Sequence, residues 1–319
     1  MLNNQDFTVD RQSFLGGSDI ACLLGVSSFK SPLDLWQEKT GKTNGNKEGL
    51  NLRYGTYMES FVAGEYERAT GFTAIECPQG FTHPAHPFIT SHIDRLVHTQ
   101  LTSITEGSNA IEADRILECK TASVFNQHQW GEMGSDLIPP SYLAQVMTYL
   151  STVNLNQGDV AVLIGNQDFR IYPIIRDRDL EEIILQKAHH FWTEYVIKDV
   201  PPPPQSEADC LNLFYRGDST KSVEACEQTH ELALRLQELS KEIDQREKEI
   251  SHIKQAVMQE MKEAEVLTYK GQTLATWKAP KPSFRLDAKR LEIEHPEIAN
   301  TYKLPIQNNR RLVIKELAA

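Results

Sequence analysis

The chain is poor in the residue patterns that would announce an easy function. Its five cysteines, Cys22, Cys77, Cys119, Cys210 and Cys226, are scattered through 319 residues. None makes a C-x-x-C pair or a Cys/His cluster at zinc spacing, so the sequence offers no zinc site and no iron–sulfur cluster. Dispersed thiols fit a reducing, cytoplasmic setting. No run of about 18 apolar residues is present, so no membrane span is expected. The first residues, M-L-N-N-Q-D-F, lack the basic and apolar regions of a secretion signal. Between Glu224 and Glu265 there is neither glycine nor proline.

Positive charge is also short, with a net charge of −11. This total hides an uneven distribution. Residues 266–319 carry a net +5, residues 224–265 a net −5, and residues 1–223 a net −11. An acidic chain can still hold nucleic acid along a local basic lining, so the balance does not exclude that partner.

What is present is a short constellation between Ser91 and Ser123: S-H-I-D-R-L-V, then I-L-E-C-K-T-A-S. Side chains alternate along a strand, so Glu118 and Lys120 share a face while Cys119 points away. With Asp94 on the neighbouring antiparallel strand, two carboxylates and an ammonium fit a divalent cation and an attacking water, the chemistry of phosphodiester cleavage. A salt-bridge pair on a hairpin fits the same three residues.

Flanking elements follow from local signals. Ser18 is a candidate N-cap for a short helix stopped by Gly25, and Ser31 caps a second that starts at Pro32 and ends at Gly41. Together they bring Arg11, Ser18 and Lys30 near helix N-termini, which favour anions. A polar Gly/Asn-rich stretch over 43–52 precedes a helix with Tyr57, Phe61, Val62, Tyr66 and Ala69 on one side and Glu59 near its start. After Pro139-Pro140 a helix places Tyr142, Gln145 and Tyr149 on one face. Two strands and a long amphipathic helix from Asp177 complete a mixed α/β domain. V-P-P-P-P ends it.

The expected organisation is an enzymatic domain over 1–200, a Pro-rich linker over 201–223, a long helix over 224–265, and a small basic α+β module over 266–319. The long helix has a heptad seam at Leu236, Leu239, Ile243, Ile250, Ile253 and Val257, with Arg246 at its polar position. At 1.5 Å per residue it runs ~60 Å. In the last module, Trp277, Phe284 and Tyr302 are interleaved with Lys and Arg, as on single-strand nucleic-acid surfaces or in a small core.

In this order the segments R-Q-S-F-L-G-G-S-D, I-A-C-L-L-G, S-P-L-D-L-W-Q-E-K-T-G, G-T-Y-M-E, S-H-I-D, L-E-C-K-T-A and Q-V-M-T-Y resemble the phage-type alkaline exonucleases related to lambda exonuclease. These form the YqaJ-like viral recombinase group of the PD-(D/E)xK nucleases. The resemblance implies a restriction-endonuclease-like core with a mixed sheet and Mg²⁺-dependent cleavage of linear duplex DNA from the 5′ end, with Mn²⁺ able to substitute. It implies 3′ single-stranded tails for recombination in a bacterial host, in a phage or prophage context. Asp94, Glu118 and the carbonyl of Cys119 would hold the metal. Lys120 would orient the water, Glu59 would serve a second metal, and Gln145, supported by Tyr149, would hold the water. Arg11, Ser18 and the position of His92 correspond to the 5′-phosphate pocket, with Lys30 and Tyr149 nearby as DNA contacts. Two departures stand out: His92 replaces a serine and Ile93 replaces a proline. The resemblance further implies DNA ends, a single-strand annealing protein and a homo-oligomer, a trimeric ring in some relatives. A sequence- or structure-specific endonuclease, or a non-catalytic coiled-coil DNA-binding adaptor, are the alternatives.

Overall fold

The structure is a computed structural model that describes residues 11–27, 29–43, 49–99, 113–304 and 310–315. The turn expected near 105–109 lies outside the described residues. The chain divides into two compact units, Met1–Leu213 and Phe214–Ala319.

The first unit opens with α1 (Gly17–Leu23), α2 (Pro32–Lys39) and α3 (Leu50–Thr70). The strands β1 (Thr73–Glu76), β2 (Phe81–Thr82), β3 (Thr90–Ser91), β4 (Arg95–His98) and β5 (Arg115–Ala122) follow. Then come α4 (Pro140–Val153), β6 (Gln157–Ile164), β7 (Asp168–Ile175), α5 (Arg178–Phe191) and the short α6 (Glu207–Leu213). Five strands form one sheet in the order β1-β4-β5-β6-β7. The β5–β6 pair is parallel and the other pairs are antiparallel. This is the mixed α/β sheet expected from the sequence.

The central pair explains the layering. In β6 the run G-D-V-A-V-L-I is buried throughout, as expected for a strand covered on both faces. One face packs under α3 through Val62, Ala63, Tyr66, Val97, Leu117, Ala161 and Leu163. The other holds Leu96, Ile116, Val160, Val162 and Ile164 among residues of α1, α4 and α5. Gly158 lies opposite Ile116, and a Cβ there would come within 2.6 Å of Ile116 Cγ1, so the close pairing needs a glycine. Tyr66 donates to Asp159 Oδ2 at 2.5 Å, and Arg115 donates to the same oxygen at 3.0 Å. This buried network pins α3 to the sheet.

Two local expectations change. Ser18 is not the N-cap of α1, because the helix already begins at Gly17, and Asp19 closes its start by accepting the Gly16 N–H at 3.0 Å. The buried stripe of α3 is Val62, Ala63 and Tyr66, while Tyr57 and Phe61 are exposed. The helix is rotated so that Val62, Ala63 and Tyr66 face the sheet. Ser31 does cap α2, accepting the Asp34 N–H at 3.2 Å.

The segment read as a linker is partly structured. Asp209 in α6 is buried and accepts from Ser31 Oγ at 2.7 Å, and Asn212 and Gln37 exchange side-chain hydrogen bonds at 3.2 Å. The compact first unit therefore runs to Leu213 rather than ending near residue 200.

The second unit contains α7 (Glu227–Met261), the hairpin β8 (Val266–Tyr269) and β9 (Gln272–Thr276), and two short helices, α8 (Ala288–Glu294) and α9 (Pro296–Thr301). Leu236, Leu239, Ile243, Ile250 and Ile253 of the heptad seam are exposed. Trp277, Phe284 and Tyr302 are exposed too, so they do not form the core of the small module.

Candidate active site

The sheet register brings the key carboxylates together. Arg95 at the start of β4 pairs with Leu117 of β5, which sets Asp94 beside Glu118 and Cys119. The Cys119 N–H donates to Asp94 Oδ2 at 2.8 Å, so a backbone group fixes this carboxylate. Glu118 shares its face of β5 with Ile116 and Lys120, toward α4, as the strand alternation requires.

There Glu118 is only 2% exposed. Its Oε1 accepts from Gln145 Nε2 at 2.7 Å and from the Lys120 ammonium. Its other oxygen, Oε2, is buried without a hydrogen-bond partner. Gln145 also donates to Tyr149 Oη at 2.8 Å. Lys120 Nζ lies 4.9 Å from the centre of the Tyr142 ring. The helical spacing 142/145/149 thus delivers a ring, an amide and a hydroxyl to one place. Gly17 makes room for this arrangement, since a Cβ would come within 2.4 Å of Tyr149 Cε1 and 3.0 Å of Gln145 Cγ.

The electrostatics are those of a crowded anionic centre. Burial, then repulsion from Glu118 and Glu59, pushes the Asp94 carboxyl up to about 8, against the opposing pull of Lys120 and the Cys119 N–H. Burial also raises Glu118, despite Lys120. Burial works against the Lys120 ammonium, but Glu118 and Asp94 outweigh it and hold the lysine above its ordinary range.

Glu59 reaches this centre from the α3 side, where its Oε1 accepts from Arg95 at 2.6 Å. Arg95 also donates to the Asp94 carbonyl at 2.5 Å. Among the described residues, no group of three or more His, Cys, Asp or Glu side chains is gathered to hold a metal. Two carboxylates, Asp94 and Glu118, are available instead. The unpartnered Glu118 Oε2 and the repulsion between Asp94 and Glu118 are the features a divalent cation would relieve, so these residues fit one.

The N-terminal residues are organised by a second buried ion pair. Lys39 Nζ is fully buried, 2.8 Å from Asp19 Oδ2, and donates to the Arg11 carbonyl at 2.7 Å. Arg11 and Ser18 are exposed. The His92 ring packs 5.8 Å from Phe14. Burial and then the nearby Arg11 charge lower the His92 pKa, and Arg11 also acts on Tyr149. Lys30 is held elsewhere, by Glu38 at 2.5 Å and Asp19 at 3.6 Å, beside a cavity also lined by Phe29 and Asp209. Ser91, next to His92, is buried and bonded to Thr152 at 2.8 Å.

Residues 6–156 match the YqaJ-like viral recombinase domain. The candidate site residues fall inside the matched segment. The whole chain is 28% identical to the uncharacterised protein YqaJ of Bacillus subtilis (strain 168), over 99% of this chain and 96% of that one. Among solved structures, the fold is similar to the alkaline exonuclease LHK-Exo of Laribacter hongkongensis, at 16% identity and a TM-score of 0.46, covering 60% of this chain and 91% of that chain. It is also similar to a phage-related exonuclease of Haemophilus somnus 129PT, at 11% identity and a TM-score of 0.43, covering 58% and 95%.

Residue-level reading of the sequence missed two positions. Arg95 is a second charge beside Asp94 in the strand-like run I-D-R-L-V, and that position was its visible signal. Lys39 gave none, because a lysine in the last turn of a helix is ordinary.

Proposed function

We propose that the YqaJ-like domain is a divalent-metal-dependent deoxyribonuclease that degrades linear duplex DNA from the 5′ end and leaves 3′ single-stranded tails for recombination. The observation that carries this reading is the buried, unpartnered Glu118 Oε2 beside Asp94, Lys120 and Gln145.

Asp94, Glu118 and the Cys119 carbonyl would hold the cation, Mg²⁺ or Mn²⁺ in its place. When bound, it supplies Lewis-acid charge and lowers the pKa of water. Lys120 acts through charge and position. Its ammonium, held by Glu118, orients the attacking water and offsets charge developing on the phosphate oxygens. Water attacks phosphorus, and the bond to the 3′ oxygen breaks. The released nucleotide keeps a 3′ hydroxyl and the DNA gains a new 5′ phosphate. Gln145 fixes the Glu118 carboxylate, and Tyr149 fixes Gln145.

Arg11, with Ser18 and His92, would receive the terminal 5′ phosphate. The seven-residue α1 is too short for its dipole to bind that group unaided, so the side chains carry the recognition. His92 in place of a serine makes the preference for phosphate sensitive to pH. A single-strand annealing protein and assembly into a ring belong to the same reading, as does a bacterial cytoplasm. No helix among the described residues is long and apolar enough to cross a membrane.

Incubation with Mg²⁺ of linear duplexes carrying 5′-phosphate, 5′-hydroxyl or blocked ends tests this function. Faster loss of 5′-phosphorylated ends supports it. Discrete cuts in closed circles would point to an endonuclease.

A further inference from the structure

We propose that Arg95 takes the place of a second cation. The centre then holds one divalent ion, between Asp94 and Glu118, while Glu59 anchors Arg95 instead of binding metal. This rests on the nuclease reading above and specifies its metal count.

The two sides of the sheet present different chemistry. Glu118, Lys120 and Gln145 come from the α4 side. Glu59 and Arg95 come from the α3 side, with Arg95 two positions before Val97 in β4, under Val62 and Tyr66. The Arg95 side chain is 6% exposed. A guanidinium cannot give up its proton in a protein, so this buried charge needs a permanent partner. Glu59 Oε1 is that partner at 2.6 Å, with the Asp94 carbonyl at 2.5 Å and Ser60 Oγ at 3.4 Å completing its bonds. Drawing Glu59 away onto a metal would strand the arginine. Binding a metal on the remaining Glu59 oxygen would set two positive centres within a few ångströms of each other.

Charge balance points the same way. With Asp94, Glu118 and Glu59 ionised, Lys120 and Arg95 leave the centre with a net charge of −1. One divalent ion together with one bound phosphodiester brings it to zero. A second divalent ion would leave it at +2. Arg95 is therefore a positioning residue: it holds the Asp94 backbone and supplies fixed positive charge where a second ion would otherwise be needed.

The test is the number of Mn²⁺ ions bound per full-length chain, measured by titration calorimetry and by the electron paramagnetic resonance signal of free Mn²⁺. The expected wild-type result is one ion per chain. Asp94→Asn should abolish binding, and Glu59→Gln should retain one ion with less than about a threefold change in Kd. Arg95→Met should release Glu59 and admit a second ion. Should Arg95→Met fail to fold by circular dichroism, the wild type and Glu59→Gln still decide. Two ions in the wild type, one of them lost in Glu59→Gln, would overturn the inference and leave the nuclease reading intact. No binding, or binding unchanged in Asp94→Asn, would overturn both.

Discussion

The Cys119 N–H holds Asp94 Oδ2 at 2.8 Å, so one catalytic-strand backbone group fixes the carboxylate contributed by the neighbouring strand. The bond couples the position of Asp94 to that of Glu118, one residue earlier on the same strand. Much of the expected behaviour of the site follows from it.

The first consequence is a pH-dependent stability. Asp94 is held near 8 in the fold, above its ordinary 3.8, so the folded chain keeps a proton the unfolded chain loses. Its contribution to stability is complete below 3.8 and is lost as pH rises through about 8, at up to about 1.4 kcal/mol per pH unit. Thermal melts in a chelator should therefore show Tm falling between pH 5 and 9. Excess Mg²⁺ should restore it most at the alkaline end, and Asp94→Asn should flatten the profile.

Lys120 acts by charge and position. Replacing it with methionine should lower kcat by about 10²–10³-fold. Arginine should rescue poorly, because a planar fork does not reproduce the compact ammonium between Glu118 and the Tyr142 ring. Full activity in Lys120→Met would remove Lys120 from the mechanism.

The Asp19–Lys39 pair stabilises the N-terminal lobe. Burial alone would raise Asp19, but Lys39 and Lys30 outweigh it and hold its carboxyl below the usual range. This stability is present above 3.8 and lost as pH falls below it. Lys39→Met should destabilise the chain by about 3–5 kcal/mol in urea titrations, by leaving Asp19 without its closest cation. It should also reduce the rate advantage of 5′-phosphorylated over 5′-hydroxyl ends, since Lys39 holds the Arg11 carbonyl.

Gly17→Ala should cost about 1–3 kcal/mol through overpacking against Tyr149. The displaced ring moves Gln145, so kcat should fall further than the stability loss explains. Stopped digestion assays at a temperature well below Tm separate the two effects.

Much of the site was legible in the sequence because strand and helix periods are strict. The period of two placed Glu118 and Lys120 together, and the helical spacing placed Tyr142, Gln145 and Tyr149 on one face. Ion-pair partners were less legible. Glu59 was read as a carboxylate near the start of its helix, but α3 begins at Leu50 and places it mid-helix, and its bond to Arg95 depends on how α3 rotates over the sheet. Lys30 shows the same limit: it lies near Ser31 in sequence, yet its ion pairs are with Glu38 and Asp19. Asp209 was missed as a structural residue because proline-rich composition suggests a spacer, whereas its contact with Ser31 joins residues far apart in the chain.

The most direct test of the nuclease activity is digestion of a 5′-phosphorylated linear duplex beside the same sequence as a covalently closed circle, with Mg²⁺, by the wild type and Glu118→Ala. Progressive loss of the linear 5′ strand, a spared circle and an inert variant are expected. An untouched linear duplex, or full activity in Glu118→Ala, would contradict the assignment.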